Sequence, residues 1–411
     1  MAGRRGASRA GLSVLLLLAG LVGCGGRTAP DTTTAEVQRV LDRRATAVLH
    51  RDETAFRATG AAAGAGEGLA NLRDVPLAAW SYRLAGLNRS GDRATARAEL
   101  RYRIEGYDAV PVETDRTLGL IRTGGTWRVT SDRPAGKGGD QLWDEGAVTA
   151  VRGRSSLVLG VGQSGERLRS FADLADRAVP AVSEAWGTDW SRRVVVLVPE
   201  SLEGMAGLLG APASGYRGIA AVTIGETGGA ERGSSRPETG GGPAKAPADR
   251  VIVNPDAYGV LGDLGKQVVL THETTHVATR ARTTAATPLW LSEGYADWTG
   301  YRGSGRTPGQ VAPELGRAVA EGRVPAALPD DEDFGFTADA GALARAYEGG
   351  WMACRLIADH WGEVRLNDFY RAVGDHGKRA GAVEGALRDV LHTTPQGFTR
   401  LWRQYLRGQL G

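Results

Sequence analysis

The sequence predicts an α+β protein built from two folded units. Three observations predict it: a long amphipathic helix followed by four β-rich segments, a second group of strands interleaved with one helix, and helical periodicity from Asn254 to the C-terminus. The chain has 411 residues, 42% of them hydrophobic and 24% charged, enough for a packed core in each unit. Its surplus of +3 equals the three arginines Arg4, Arg5 and Arg9, which lie in an acid-free N-terminal segment. Without that segment the chain is neutral, which argues against a nucleic-acid binder.

Taken in order, Arg4, Arg5 and Arg9 precede an apolar run from Leu12 to Leu21, too short to span a bilayer comfortably but suited to a signal peptide over residues 1–23. The run ends in Leu21-Val22-Gly23-Cys24, which resembles the bacterial lipobox. That resemblance implies acylation of Cys24 and attachment to the extracytoplasmic face of the cell membrane, with residues 24–34 as a tether. Cys354 is then the remaining cysteine and cannot form an internal disulfide; beside Trp351, Leu356 and Ile357 it reads as a small core residue.

Residues 35–130 form the first unit. Val37, Val40, Leu41, Ala45, Val48 and Leu49 recur at helical spacing between Glu36 and Arg57. Strands follow at Trp80 to Leu87, Ala94 to Ile104, Arg116 to Arg122 and Trp127 to Thr130, separated by turn-forming residues. A helix followed by such a meander resembles, in layout, the cone-shaped nuclear-transport-factor-two or cystatin-like folds. Residues 131–149, rich in Gly and charge, are assigned as a linker.

The second unit, residues 150–411, opens with strands at Ser156 to Gly162 and Arg193 to Pro199 around a helix at Ser170 to Ala185. Two more strands are expected at Gly218 to Ile224 and Arg250 to Asn254, giving a small mixed sheet followed by a helical lobe. Between those strands, residues 227–249 are nearly devoid of apolar side chains and read as a flexible loop, either a gate or a disordered insertion.

The chemistry lies in His272-Glu273-Thr274-Thr275-His276. Residues four apart share a helix face, so both imidazoles can reach one ion, while Glu273 points beside them as a general base for water. Seventeen positions later, in a second apolar helix from Pro288 to Trp298, Glu293 can complete a two-histidine, one-carboxylate set with a coordination position to spare, as a catalytic zinc ion requires. Asp297, one turn on, can accept the remaining ring N–H of a ligand histidine.

His272-Glu-Thr-Thr-His276 with Trp290-Leu-Ser-Glu-Gly-Tyr-Ala296 resembles the gluzincin branch of zinc metallopeptidases. The resemblance implies a zincin-like domain, one zinc ion on His272, His276 and Glu293, Glu273 as general base, Asp297 as supporting carboxylate, and a peptide or protein substrate. Tyr347-Glu348-Gly349-Gly350 resembles the aminopeptidase-N type and implies Tyr347 as oxyanion donor, with Tyr295 and Tyr301 as competitors. The Gly-Ala-Met-Glu-Asn segment by which aminopeptidases hold a free amine is missing, which favours an endopeptidase. His50, His360, His376 and His392 lack a spacing partner and read as surface or satisfied residues. The alternative is a catalytically inactive surface lipoprotein acting as a binding or scaffold module; cleavage of a non-peptide amide in the cell wall would use the same residues.

Overall fold

The computed structural model describes residues 32–61, 67–136, 139–226, 248–335 and 340–411. The signal segment 1–23 and Cys24 lie outside the described residues, as do residues 227–247 of the expected loop. Among the described residues no helix is long and apolar enough to cross a membrane. Of the expected tether, residues 32–34 belong to the first turn of α1 (Thr32–His50).

The single helix expected from Glu36 to Arg57 is two. Arg51 adopts a left-handed φ of 55°, and the Asp52 carboxylate accepts the Ala55 N–H at 2.9 Å, capping α2 (Glu53–Thr59). After the one-turn α3 (Glu67–Asn71), β1 (Leu77–Ser90), β2 (Arg93–Ile104), β3 (Val112–Thr123) and β4 (Thr126–Pro134) form an antiparallel meander in sequence order. The two-residue hairpin between β3 and β4 places Gly124 and Gly125 at φ 57° and 79°, as its twist demands. Val37, Val40, Leu41 and Val48 bury the inner stripe of α1 in this unit's core.

Residues 131–149, expected as a linker, hold the end of β4, the short α4 (Leu142–Glu145) and the start of β5. Aromatic packing fixes them: Trp143 lies 4.9 Å from Tyr102 and 5.5 Å from Trp80 between ring centroids. Asp144 receives both terminal nitrogens of the buried Arg116 at 2.7 and 2.8 Å.

The second sheet comprises β5 (Val148–Arg152), β6 (Ser156–Val161), β7 (Val194–Val198), β8 (Ala221–Glu226) and β9 (Ala248–Val253), in the order β5-β6-β7-β9-β8. Its centre, β6-β7-β9, is parallel and both outer pairings are antiparallel, leaving β8 as an edge. Parallel strands buried on both faces read as unbroken apolar runs, which is what Val194-Val-Val-Leu-Val198 is. Val158, Val194, Val196, Val251 and Val253 face α5 (Gly165–Trp186) and α8 (Asp263–Thr279). Leu157, Leu159, Val195, Leu197 and Ile252 instead join the core of the first unit, so the two units share one apolar interior.

Two polar ties cross the shared interior. Tyr107 donates to the Ser156 carbonyl at 2.7 Å, and the Arg250 guanidinium holds Asp108 through two bonds of 2.8 and 2.9 Å. The short helices α6 (Leu202–Leu209) and α7 (Pro255–Gly259) add Met205 and Leu208 to the shared interior and Tyr258 to the cluster on α5 and α8. The chain then continues as a helical lobe: α9 (Leu289–Tyr301), α10 (Pro308–Val311), α11 (Pro313–Ala320), α12 (Ala340–Trp361), α13 (Glu363–Gly374), α14 (Ala382–Asp389) and α15 (Pro395–Leu410). Its own core gathers Trp186, Trp290, Tyr295, Trp351, Tyr370 and Trp402.

Replacing Asp108 with Ala removes both carboxylate bonds of a cation that is 2% exposed. Breaking a buried pair from one side costs on the order of 3 kcal/mol. Urea unfolding of Asp108→Ala is therefore expected to show one cooperative transition with that loss, and an unchanged midpoint would show that the tie contributes nothing.

Candidate metal centre

The centre is built on α8, α9 and α12. The α8 segment is buried on several sides, and two of its threonines manage this by bonding back along the helix. Thr271 donates to the Gln267 carbonyl at 2.8 Å and Thr275 to the Thr271 carbonyl at 2.7 Å. With the threonines satisfied internally, one face is left to His272 and His276. Their Nε2 atoms lie 3.0 Å apart, with ring planes at 78°.

Glu293, projecting from α9, brings Oε2 to 3.3 Å from His272 Nε2 and 3.5 Å from His276 Nε2. Among the described residues this trio is the one group of three or more His, Cys, Asp or Glu side chains gathered closely enough to hold an ion. Tetrahedral zinc with bonds of roughly 2.0–2.2 Å needs donors about 3.3–3.6 Å apart. The donor set and its spacings therefore fit such an ion, with movements of a few tenths of an ångström.

Asp297 Oδ1 sits 2.8 Å from His272 Nδ1. That bond makes Nδ1 the protonated nitrogen and leaves Nε2 facing Glu293. Burial lowers the His272 pKa, but Asp297, then Glu293 and Glu273, outweigh it and hold the ring's pKa well above its ordinary value. For Glu293 the balance runs the other way: burial pushes the carboxyl up, and His276 and His272 draw it well below the usual carboxylate range.

Glu273, 6% exposed, lies on the side of α8 that meets the sheet. Thr223 Oγ1, on the edge strand β8, is 2.6 Å from Glu273 Oε2 and 3.0 Å from the Glu273 carbonyl oxygen. Of the two strands the sequence offers as an edge, β8 is the edge and β9 is interior. Thr223 is the site residue that sequence reasoning misses, since nothing in its own segment ties it to a helix fifty positions away.

Tyr347 reaches the centre from α12, its ring edge-on to Phe334 at 5.1 Å. Burial, followed by the charges of Glu293, Asp297 and Glu273, raises its pKa, so the hydroxyl stays protonated. Among the described residues that hydroxyl has no hydrogen-bond partner. Neighbouring Glu348 faces elsewhere and caps α11, accepting the Glu314 and Leu315 N–H groups at 3.2 and 2.5 Å. Tyr295 is fully buried and gives its hydroxyl to Asn367. Tyr301 borders a separate cavity. His50, His360, His376 and His392 are exposed, and Cys354 is buried in the helical core.

What lets α12 deliver Tyr347 is a backbone contact between glycines. A Cβ on Gly294 would lie 2.3 Å from the Gly350 carbonyl oxygen, and one on Gly350 would lie 2.6 Å from the Trp290 carbonyl oxygen. No other residue permits that approach. Gly350→Ala is expected to cost about 1–3 kcal/mol as α12 is pushed off α9. Metal affinity should fall at least about tenfold as Glu293 shifts, since 1.4 kcal/mol is a factor of ten. Gly385→Ala, on an open face of α14, is the control and should be neutral or slightly stabilising. Thermal unfolding and metal titration of both variants check this; equal behaviour would refute the glycine contact as the organising feature.

No family model matches the sequence, and no curated protein does. Among solved structures, the chain is similar to an M1 zinc metallopeptidase from Deinococcus radiodurans, crystallised as a mutant with a Tyr-Ser-Ala substrate. Identity is 12% and the TM-score 0.33, over 80% of this chain and 61% of that one. The chain thus spans less than two thirds of that protein's length.

Proposed function

We propose that this chain is a zinc-dependent peptidase acting on peptide or protein substrates by hydrolysis. One observation supports this above all. Two imidazole nitrogens and a carboxylate oxygen converge within 3.5 Å of one another, beside an acid that belongs to neither the triad nor an ion pair. His272, His276 and Glu293 would hold the ion. When bound, zinc supplies a Lewis acid for the scissile carbonyl and lowers the pKa of water.

The residues around it divide the remaining work. Asp297 would keep the remaining His272 proton on Nδ1 once an ion takes the place of the proton on Nε2. Glu273 takes the proton of the attacking water and returns it to the departing amine nitrogen. Thr223 donates to Oε2, which orients the carboxylate and leaves Oε1 as the basic atom. Tyr347, kept protonated by burial and by its anionic neighbours, donates to the oxyanion that develops on the carbonyl. An exposed edge such as β8 offers backbone groups for pairing with an extended peptide.

We favour endopeptidase over aminopeptidase activity because the amine-holding segment is missing from the sequence. We further propose that Cys24 carries lipid and holds the protein to the extracytoplasmic face of the cell membrane, a reading supported by the charged, apolar and small-residue order of residues 1–24. A scaffold without activity has no chemical need of a hydrogen-bonded acid beside two imidazoles, and this favours the enzyme.

Metal analysis and peptide hydrolysis on the same preparations test the proposal. Glu273→Gln is expected to keep one zinc per chain and to lose about 10²–10⁴-fold in kcat. His272→Ala should lose the metal and all turnover, and metal retained with activity intact would sink the assignment. Tyr347→Phe should bind zinc normally with kcat lower by about 10–10³-fold; a normal rate would reduce Tyr347 to a packing residue. Thr223→Val should lower kcat about tenfold, through a misplaced Glu273, with zinc affinity unchanged and Thr223→Ser restoring the rate. A Ser variant as slow as the Val variant would refute the hydroxyl's role.

A further inference from the structure

Outside the metal centre, a cavity of about 200 Å³ lies between the end of α9 and the middle of α12. Trp298, Tyr301 and Trp351 form its aromatic walls, and three arginines, Arg302, Arg306 and Arg355, surround it. Two of the three are already neutralised. Arg302 makes bonds of 2.9 and 3.1 Å to Glu363 and 3.0 Å to Glu184. Arg355 faces Asp359 at 3.4 Å, and Asp359, which also borders the cavity, accepts the Tyr405 hydroxyl as well.

Arg306 is different. It is exposed, and among the described residues no carboxylate lies within ion-pair distance of its guanidinium. Tyr301, whose ring packs 6.1 Å from Trp351, likewise has no hydrogen-bond partner for its hydroxyl among the described residues. The two donors are neighbours: burial and the charges of Asp297 and Glu348 raise the Tyr301 pKa, and Arg306 opposes them. A cation and a neutral O–H donor, both uncommitted, thus face one aromatic-walled space.

The same face of α12 joins this space to the metal centre. Tyr347, Trp351 and Arg355 succeed one another at four-residue intervals, about 6 Å per step along the helix. The cavity therefore lies one to two helical turns from Tyr347. On α9, Tyr301 is likewise one turn beyond Asp297. An extended peptide advances about 3.3 Å per residue, so a substrate crossing the triad would bring a group two to four residues from the scissile bond into the cavity.

We propose that this cavity is a carboxylate-binding subsite, in which Arg306 and Tyr301 hold an acidic group of the peptide while Trp298 and Trp351 flank its aliphatic stem. A guanidinium pairs with a carboxylate through two parallel hydrogen bonds. The acidic group comes from either an Asp or Glu side chain or the peptide's terminal carboxylate. The inference rests on the peptidase reading of the metal centre.

The experiment uses zinc-loaded full chain with Glu273→Gln, which blocks turnover, and decapeptides of one sequence with Glu or Gln at successive positions, each with a free or amidated C-terminus. Calorimetry is expected to find one arrangement in which the carboxylate form binds about fivefold to tenfold more tightly. Adding Arg306→Gln should abolish that difference, and Arg306→Glu should transfer the preference to Lys-containing peptides. Dependence on amidation identifies the terminal carboxylate as the source, and dependence on Glu against Gln identifies the side chain. No carboxylate dependence, or one that survives Arg306→Gln, overturns the subsite. Hydrolysis of the same peptides by the unsubstituted protein separates the two ideas. Cleavage without Arg306-dependent preference removes the subsite alone; Arg306-dependent binding without cleavage keeps the subsite and removes the peptidase reading.

Discussion

Two helices touch backbone to backbone at Gly294 and Gly350, and the arrangement of the centre depends on that contact. Glu293 immediately precedes one glycine, and Tyr347 lies one turn before the other. With larger residues there, the helices would sit farther apart, at the usual side-chain-mediated distance. Tyr347 would then be drawn away from Glu293, Asp297 and Glu273, and the carboxylate of Glu293 would be displaced from the imidazoles. The glycines weaken each helix in isolation, and the closeness of α9 and α12 is what that weakness makes possible.

Electrostatically the centre is a compact alternation of acids and bases. Asp297, His272, Glu293 and His276 follow one another at 2.8, 3.3 and 3.5 Å. Asp297 and Glu293 favour the charged form of His272, and both rings favour the charged form of Glu293. That mutual support offsets the burial of four ionisable groups in one place. Glu273 stands outside this chain, held by the hydroxyl of Thr223, which is how its carboxylate stays distinct from the triad although it is adjacent in sequence to His272.

The parts of this architecture visible in the sequence are those with a local period. His272 and His276 share a helix face because they are four apart, and Glu293 and Asp297 do so for the same reason. The strands of the meander alternate, and the central parallel strands are continuous apolar runs. What escaped depends on contacts between distant segments. Thr223 meets Glu273 only after β8 pairs with β9 at the sheet edge, and Trp143 becomes a core residue only when Trp80 and Tyr102 are brought to it. The break between α1 and α2 is a different case. Asp52 followed by Glu53 is a helix-start signal that the apolar spacing from Glu36 to Arg57 masked.

The interior common to the two units has a dynamic corollary. Leu157, Leu159 and Ile252 are buried against the first unit, and Asp108 reaches across to a strand of the second sheet, so hinge motion between the units would expose apolar area and strand a charge. The sheet and the meander behind it therefore form a stationary back wall. The lobe carrying α9 and α12 joins that wall along a seam with α8 and α5, closed by a second apolar cluster that takes in Val182, Ala185, Trp186 and Ala278. The histidines stand on the α8 side of that seam and Glu293 and Tyr347 on the other, so any loosening there would part the two halves of the centre.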